Sequence, residues 1–323
     1  MTKKVTSRAK RSQKKGESVV IQHHTPKGMK SIEKYPMYEN AVQTPDLHAQ
    51  CFDELYQEIF DKKPKVLRED FCGTFQICME WVKLDQDKVA YGLDLDPEPL
   101  HYGKKVHLKK LTAEQKKRVT PLKQNVITST RPKADVCVAC NFSFFIFKTQ
   151  EELLRYFKKV YESLAPDSVF FLEMAGGAGM YEKTKERRRY QRNKKHWYTY
   201  IWDQKSFDPI NHHGEYAIHF KLPNGKTWEN AFTYDWRMWT MPEVRDLLAQ
   251  AGFDDSYIYW DESDSDDPDV GIYSRRTKGD NDHAWITLVA GVKRGRKGRS
   301  QRSVNGSHQS SSTRRSRGSK RSQ

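Results

Sequence analysis

The segment LREDFCGTF, from Leu67 to Phe75, decides the fold. KPKVLRE reads as a β-strand that ends here, and TFQICMEWV reads as a helix with apolar side chains on one side. A strand, a tight loop and a helix in this order are typical of a parallel α/β sheet, in which the loop after the first strand passes under the ligand. The loop is therefore a candidate nucleotide-binding loop.

The loop matches the known nucleotide-binding pattern only in part. That pattern, acidic-x-Gly-x-Gly-x-Gly, places glycine where the backbone must approach a ligand closely. Glu69 occupies the acidic position and Gly73 the second glycine position, whereas Phe71 and Phe75 replace the other two glycines. One glycine of three does not identify a ligand by itself.

Strands alternate with amphipathic helices from residue 65 to residue 174. Asp96-Pro97 and Thr149 are typical helix starts, because a capping side chain precedes the first turn. Such alternation predicts right-handed crossovers and helices on both faces of the sheet. We expect a Rossmann-like, doubly wound α/β fold with a mostly parallel, seven-stranded sheet. The predicted strands are KPKVLRE, KVAYGLDL, residues 119–124, residues 134–140, SVFFLEM, SYIYW and HAWITLVAGV.

The pattern changes after Gly176-Gly177. WYTYIWDQ, EYAIHFKL and KTWENAFTYDWRMW read as β-strands, and Pro223-Asn224-Gly225 between the last two is a hairpin turn signal. We predict an antiparallel, aromatic insert at 181–240, after the fifth strand. The basic run KTKERRRYQRNKK at its start is interpreted as a solvated helix face or as a segment that recruits an anionic substrate.

The net charge of +15 is concentrated at the two ends of the 323-residue chain. Residues 1–16 contain seven Lys and Arg and residues 293–323 contain eleven, without an acidic residue, so the remainder carries −3. We predict basic, disordered tails at 1–30 and 293–323, the second rich in Ser, Arg and Gly, around a domain at 31–292. The tails either keep the protein soluble or contact RNA, DNA or anionic lipid without specificity.

Cysteine content and hydropathy indicate a cytoplasmic protein without a membrane partner. The five cysteines form an odd, sparse set, which predicts reduced thiols. Cys137 and Cys140 have CxxC spacing, but the apolar run ADVCVAC predicts burial on opposite faces of a strand, so we predict no metal site. No window approaches 18 apolar residues, and VVIQ is too short for the core of a signal peptide.

The second half of the nucleotide-binding pattern is at Asp94. This residue ends the strand YGLDL, 25 residues after Glu69, where a carboxylate binds the hydroxyls of a ribose. The spacing fits a dinucleotide or an adenosine. A pyrophosphate needs bare backbone at the helix N-terminus, and Phe75 would crowd it, so we expect a cofactor without phosphates.

These motifs resemble a known family. VLREDFCGTF, GLDLDPEPL, ADVCVACNFSFFIFKTQEELLRYF and SLAPDSVFFLEMAGGAG look like the successive motifs of a class I S-adenosylmethionine-dependent methyltransferase. DFCGT, NFSFFIFK, WDQKSFDP and AFTYDWRMWTMPEVRDLLAQAGF are further similar to a largely uncharacterised bacterial branch of that superfamily. The likeness extends from about Tyr35 to Val292, and the branch implies no substrate.

The resemblance implies that S-adenosyl-L-methionine is the cofactor, and it assigns roles to matching positions. The loop after the first strand would hold the methionine end, Asp94 the ribose and Leu95 the adenine. The segment after the third strand would flank the adenine, although an acidic residue common there is absent. Asn141 would face cofactor and substrate. The implied cofactor-binding residues are Glu69, Phe71, Gly73, Asp94, Leu95, Asn125, Val126 and Asn141.

Methyl transfer from a sulfonium is an in-line displacement, so the protein must align the acceptor and exclude water. We predict that aromatic residues of the insert form the acceptor pocket or the local core. Candidate catalytic residues are Glu173, which ends the fifth strand, with Tyr234 and Asp235 in the insert; His212 and His213 are alternative bases. The aromatic candidates are Trp197, Tyr198, Tyr200, Trp202, Tyr234, Trp236 and Trp239.

Three functions are compatible with these residues. An aromatic insert that closes over the cofactor favours methyl transfer to a small-molecule acceptor. The basic tails favour an RNA methyltransferase, acting on rRNA or tRNA, although no separate RNA-binding domain is visible. The third function is a noncatalytic RNA-associated module that keeps the fold and uses the tails.

Overall fold

The computed structural model describes residues 25–263 and 272–295. Most of the two predicted tails, and much of the acidic loop before the last strand, lie outside these residues. The helices are α1 (Tyr35–Val42), α2 (Pro45–Phe60), α3 (Gln76–Leu84), α4 (Pro97–Val106), α5 (Ala113–Lys117), α6 (Gln150–Ser163) and α7 (Met241–Ala251). The strands are β1 (Val66–Asp70), β2 (Val89–Asp94), β3 (Val119–Lys123), β4 (Ala134–Ala139), β5 (Leu164–Gly176), β6 (Thr184–Arg192), β7 (Lys195–Asp208), β8 (His213–Lys221), β9 (Thr227–Arg237), β10 (Asp255–Asp261), β11 (Tyr273–Arg276) and β12 (Trp285–Lys293).

The main sheet has eight strands in the order β11-β10-β12-β5-β4-β1-β2-β3. β1 to β5 are parallel, and β12 and β10 are antiparallel to their neighbours. The mostly parallel α/β fold is confirmed, but the prediction of seven strands was one too few. The extra strand, β11, consists of four residues, YSRR, at the sheet edge, and its sequence lacks an apolar alternation that would reveal it.

Helices cover both faces of the sheet, with a separate core on each. One core contains Cys137 and the apolar stripes of α6 and α7, and the other contains Cys140 and apolar residues of α2 and α3. The predicted burial of the two cysteines on opposite faces of β4 is confirmed. Thr149 caps α6 as expected, because its hydroxyl accepts a hydrogen bond from the Glu152 amide.

The insert is a second sheet, antiparallel and four-stranded, in the order β6-β7-β8-β9. The interpretation of KTKERRRYQRNKK as a helix face was wrong, because residues 184–192 form the edge strand β6. Its charged side chains are mostly exposed, a usual protection of an edge strand against further pairing, while Tyr190 stacks on Tyr198 of β7. α1 packs on this sheet, where the Tyr198 hydroxyl donates to the Met37 carbonyl.

Within the described part of the chain, no helix combines the length and the apolar character that crossing a membrane requires.

Candidate active site

The strand order reverses between β1 and β4, and in parallel sheets ligands bind beyond the carboxyl ends of the strands at such a point. A cavity of about 270 Å³ lies there. Its floor is the loop after β1 together with the ends of β2 and β4, and α1, the start of α2 and β9 cover it. The fold thus places a cavity where the sequence predicted the cofactor.

The loop after β1 keeps the backbone of a glycine-rich loop although two glycines are replaced. Phe71, Gly73 and Phe75 have φ of 55°, 52° and 51°, the left-handed region that glycine adopts most easily. These are the three glycine positions of the pattern. The conformation is therefore preserved at positions where the residue type is not.

The two phenylalanine rings have different positions. The Phe71 ring lines the cavity and packs edge-on against Phe147 and Tyr156, with ring centroids 6.2 and 5.7 Å apart. Phe75 is fully buried and packs tightly against Gly103. The argument that Phe75 would crowd a pyrophosphate was wrong, because its ring enters the core beside α4.

Gly73 is the point of the loop most open to a ligand. A β-carbon at this position would meet no other described atom within 4 Å, and Gly73 lines the cavity. Its amide donates to Asp94 Oδ2 at 2.8 Å. The loop and the end of β2 are thus held together, with the open side of Gly73 toward the cavity.

Asp94 is fixed at the end of β2 by two amides. Besides the Gly73 amide, the Asp96 amide donates to Oδ1 at 2.9 Å. Burial raises the pKa of Asp94, partly offset by these hydrogen bonds. Asp96 caps α4 by accepting from the Glu98 amide at 2.8 Å, so the two neighbouring carboxylates have separate partners.

Glu69 is the second carboxylate of this cavity. It is buried at the end of β1, and Oε2 accepts from the Cys78 amide at 2.9 Å. Burial raises its pKa to about 7. A carboxyl group in this state ionises fully when a cation binds beside it, because an opposite charge favours the charged form.

The predicted adenine-binding residues lie beside the cavity and do not line it. Leu95 is 59% exposed, Asn125 is exposed and Val126 is buried. The segment is adjacent to Asp94, whose carbonyl accepts from the Gln124 amide at 2.9 Å. The roles of these residues in adenine binding stay predictions.

A second, larger cavity of about 840 Å³ lies between the antiparallel sheet and the ends of β5, β10 and β12. Five residues line both cavities, so the two cavities are adjacent. The shared residues are Tyr38, Val42, Asn141, Tyr234 and Trp236.

Four of the predicted aromatic residues line the second cavity: Tyr200, Trp202, Tyr234 and Trp236. Trp202 is half-buried and stacks on Tyr216, with ring centroids 5.5 Å apart. The other predicted aromatic residues pack inside the protein: Tyr198 and Trp239 are core residues, and Trp197 packs edge-on against Tyr198. The insert thus provides both pocket walls and core.

The structure brings two of the predicted catalytic residues to the cavities. Glu173, which is 7% exposed, lines the second cavity and accepts a short hydrogen bond from the Asn141 amide. The Tyr234 hydroxyl is hydrogen-bonded to Tyr38, and burial raises its pKa well above the usual range. Both residues lie where the two cavities meet.

Asp235 and the two histidines of the insert lie elsewhere. The Asp235 side chain is 68% exposed and paired with Lys148 at 2.8 Å, on the face of β9 opposite Tyr234 and Trp236. His212 contacts the Met238 carbonyl outside the cavities. We therefore leave Asp235, His212 and His213 out of the site.

Sequence reasoning missed the contribution of the helices before β1. His48, in the first turns of α2, has Nε2 3.5 Å from Glu173 Oε1. Tyr38 and Tyr35 of α1 line the first cavity beside it. The expected helix at residue 45 was correct, but local sequence does not indicate that this helix reaches a carboxylate 125 residues later.

Comparisons with known proteins identify the fold. A scan against protein-family models and a search of curated protein sequences find no match. Among solved structures, an S-adenosylmethionine-dependent methyltransferase from Clostridium acetobutylicum is 16% identical with a TM-score of 0.60, over 81% of this chain and 98% of that one.

Two further structures are similar over nearly the same region. The amino pentose methyltransferase CalS10 from Micromonospora echinaspora, solved with S-adenosylmethionine bound, is 12% identical with a TM-score of 0.57, over 83% of this chain and 100% of that one. The sugar N-methyltransferase KedS8 from Streptoalloteichus sp ATCC 53650 is 14% identical with a TM-score of 0.57, over 90% and 100%. The chain therefore has the fold of class I S-adenosylmethionine-dependent methyltransferases. The narrower likeness, to the branch with the DFCGT motif, stays a prediction.

Proposed function

We propose that this protein is an enzyme that transfers a methyl group from S-adenosylmethionine to a small-molecule acceptor. The observation that carries the proposal is the pair of adjacent cavities at the carboxyl ends of the parallel strands. One has the carboxylates and the open backbone that a nucleoside cofactor needs. The other has aromatic walls and a size typical of small-molecule sites.

The residues of the first cavity fit S-adenosylmethionine by their chemistry. Asp94 presents a fixed carboxylate at the end of β2, suited to the two hydroxyls of a ribose. Glu69 would hold the ammonium group of the methionine end, and Gly73 leaves room for the chain between them. When bound, the cofactor supplies an electrophilic methyl group on a sulfonium.

The second cavity would hold the acceptor. Asn141 and Tyr234 line both cavities and would lie beside the reacting atoms, while Trp202 and Trp236 would enclose the acceptor and exclude water. Two proteins with the same fold are described as an amino pentose methyltransferase and a sugar N-methyltransferase. A sugar-sized polar acceptor is therefore the class to test first.

Methyl transfer can be tested without a known acceptor. Radiolabelled S-adenosylmethionine is incubated with the protein and cell extract, and the extract is separated into small-molecule, protein and nucleic-acid fractions. The proposal expects label in the small-molecule fraction, unchanged when residues 1–16 and 296–323 are deleted. Label in nucleic acid that disappears with this deletion would support the RNA methyltransferase instead, and a failure to bind the cofactor would favour a noncatalytic module.

Asp94→Asn is expected to weaken cofactor binding about 10- to 100-fold, since a hydrogen bond to a charged group contributes about 1.5–3 kcal/mol. Isothermal titration calorimetry with S-adenosylmethionine measures the loss. The control is Asp87→Asn, at an exposed aspartate that pairs with Lys65 and lines neither cavity. Equal affinity of Asp94→Asn and the unaltered protein would remove Asp94 from the site.

Trp202→Ala is expected to reduce labelling of the small-molecule fraction about tenfold or more, because an aromatic wall of the acceptor cavity is lost. Cofactor affinity should change less than about twofold, since Trp202 lines only the second cavity. Trp197→Ala is the matched control: the same residue type, half-buried, on the same strand and outside the cavities. If Trp202→Ala reduced cofactor affinity as much as labelling, Trp202 would be a core residue.

A further inference from the structure

We propose that His48 and Glu173 form the proton-accepting pair of this site and that the acceptor they serve is an amine. The inference rests on the proposed function and adds to it a base and a class of substrate. It starts from the contact between α2 and the end of β5, which brings an imidazole and a carboxylate together where the two cavities meet.

The orientation of the His48 ring is fixed from both sides. Nδ1 lies 2.9 Å from the Thr44 carbonyl oxygen, which can only accept, so Nδ1 carries a proton. Nε2 is therefore the nitrogen that gains or loses the proton: it has a lone pair in the neutral ring, and in the imidazolium its N–H faces Glu173 Oε1, 3.5 Å away. The other oxygen of Glu173 accepts from the Asn141 amide, so the carboxylate is fixed as well.

The pair connects the two cavities. His48 lines the first cavity and Glu173 the second, and Asn141, which lines both, is bound to Glu173. An acceptor atom placed for in-line attack on a methyl group from the first cavity would lie at this junction. Glu173 would accept a proton lost by that atom, and His48 would then accept it from Glu173.

The charges around the pair favour a cationic acceptor. Trp202 and Trp236 line the second cavity, and aromatic rings attract ammonium groups; Arg188 is the one Lys or Arg residue among the described residues that line it. Seven carboxylates line it. Glu186 is paired with Arg188 at 3.7 Å, and Glu262 and Asp280 are both paired with Arg276; the other four are Glu173, Glu182, Asp261 and Asp282.

The proton affinity of His48 suits an amine better than an alcohol. Burial lowers the pKa of His48, but the hydrogen bond and charge of Glu173, the Thr44 carbonyl and the charge of Glu69 together outweigh burial, so the pKa is raised. A base of this strength can deprotonate an ammonium group, whose pKa is about 8 to 10, and is poorly matched to a hydroxyl. Other titratable groups near the pair are Tyr38, Glu69, Cys140 and Tyr273.

The proposed step moves one proton and one methyl group. The ammonium proton passes to Glu173 and on to His48 Nε2, which leaves an imidazolium beside a carboxylate. The freed nitrogen lone pair forms a bond to the methyl carbon as the carbon–sulfur bond breaks, and that electron pair stays on sulfur as a neutral thioether. The methylated product leaves as an ammonium ion, and His48 returns its proton to solvent.

The test combines product analysis with a pH profile. The full chain methylates the small-molecule fraction with ¹³C-methyl S-adenosylmethionine, and carbon NMR distinguishes N-methyl from O-methyl products. We expect N-methyl products.

His48→Gln should slow labelling about 100-fold at pH 7, but only a few-fold at pH 10, where the amine is already deprotonated. Glu173→Gln should behave in the same way, and His101→Gln, on the exposed face of α4, should match the unaltered protein.

The outcomes separate this inference from the proposed function. O-methyl products, or a loss in both variants that is equal at pH 7 and pH 10 with cofactor affinity retained, would overturn the proton-accepting pair and leave methyl transfer standing. If the unaltered chain neither binds S-adenosylmethionine in calorimetry nor labels any fraction, the proposed function itself fails. Circular dichroism of each variant identifies one that has not folded, and the other variant then decides.

Discussion

Gly73→Val is expected to abolish binding of S-adenosylmethionine while the protein stays folded. Gly73 has φ of 52°, in the region where a β-branched residue is strained. Gly73 lines the first cavity, and a β-carbon there would meet no described atom within 4 Å. The branched side chain would therefore occupy space that the cofactor needs. The strain would also move the backbone amide that donates a hydrogen bond to Asp94.

The matched control is Gly225→Val. Gly225 has φ of 82°, and a β-carbon there also meets no described atom within 4 Å, but it lies in the hairpin turn between β8 and β9. Both variants should lose about 1–2 kcal/mol of folding free energy from the strained backbone. Calorimetry should show affinity reduced about 100-fold or more for Gly73→Val only. If both variants bind equally well, the cofactor does not approach Gly73.

The elements with a clear periodicity could be predicted from the sequence. The five parallel strands, the caps at Asp96 and Thr149 and the hairpin at residues 223–225 are all set by local patterns, and the structure has them. β6 was misread because its run of charges has no apolar period, and only pairing with β7 makes it a strand. β11 is too short to show any pattern.

The candidate site could be predicted where it is built from strand ends. Glu69 and Asp94 lie at the carboxyl ends of β1 and β2, Gly73 lies in the loop after β1, and all three line the first cavity. Strand alternation could also have excluded Asp235, since its neighbours Tyr234 and Trp236 face the cavities and successive side chains point to opposite faces. His48 could not be predicted, because its contact with Glu173 depends on how α2 packs against the sheet.

The loop after β1 shows what a glycine count misses. The pattern uses glycine to predict where the backbone approaches a ligand closely. In this structure residues 71, 73 and 75 all have a left-handed backbone, although two of them are phenylalanine. Such residues cost about 1–2 kcal/mol each in this conformation, which packing must offset. The Phe75 ring in the core and the Phe71 ring against Phe147 and Tyr156 provide that packing.

Arg68→Met is expected to destabilise the fold by about 3–5 kcal/mol, because it leaves a buried carboxylate without its cation. The Arg68 side chain is fully buried on β1 and donates to both oxygens of Asp70, at 2.7 and 3.2 Å. It also donates to Ser163 Oγ at 2.7 Å. Thermal or urea unfolding followed by circular dichroism measures the loss of stability. A loss below about 1 kcal/mol would show that the ion pair does not stabilise the fold.

The double variant Arg68→Met/Asp70→Leu separates stability from cofactor binding. Replacing a whole buried ion pair with apolar residues is often neutral, so part of the stability should return; the rest is lost with the hydrogen bonds of Arg68 to Ser163 and of Tyr156 to Asp70. Arg68 also donates to the carbonyl of Val126, in the segment predicted to flank the adenine, and to that of Thr128, two residues further on. If that segment binds the cofactor, affinity should be about tenfold lower in Arg68→Met as well as in the double variant, because the carbonyls that position the segment have lost their donor. A loss in the double variant alone would come from Asp70, which lines the first cavity. Lys88→Met, which breaks a second buried pair with Asp53 away from the cavities, should destabilise the fold without changing affinity. Full recovery of both quantities in the double variant would show that residues 125–128 lie outside the cofactor site.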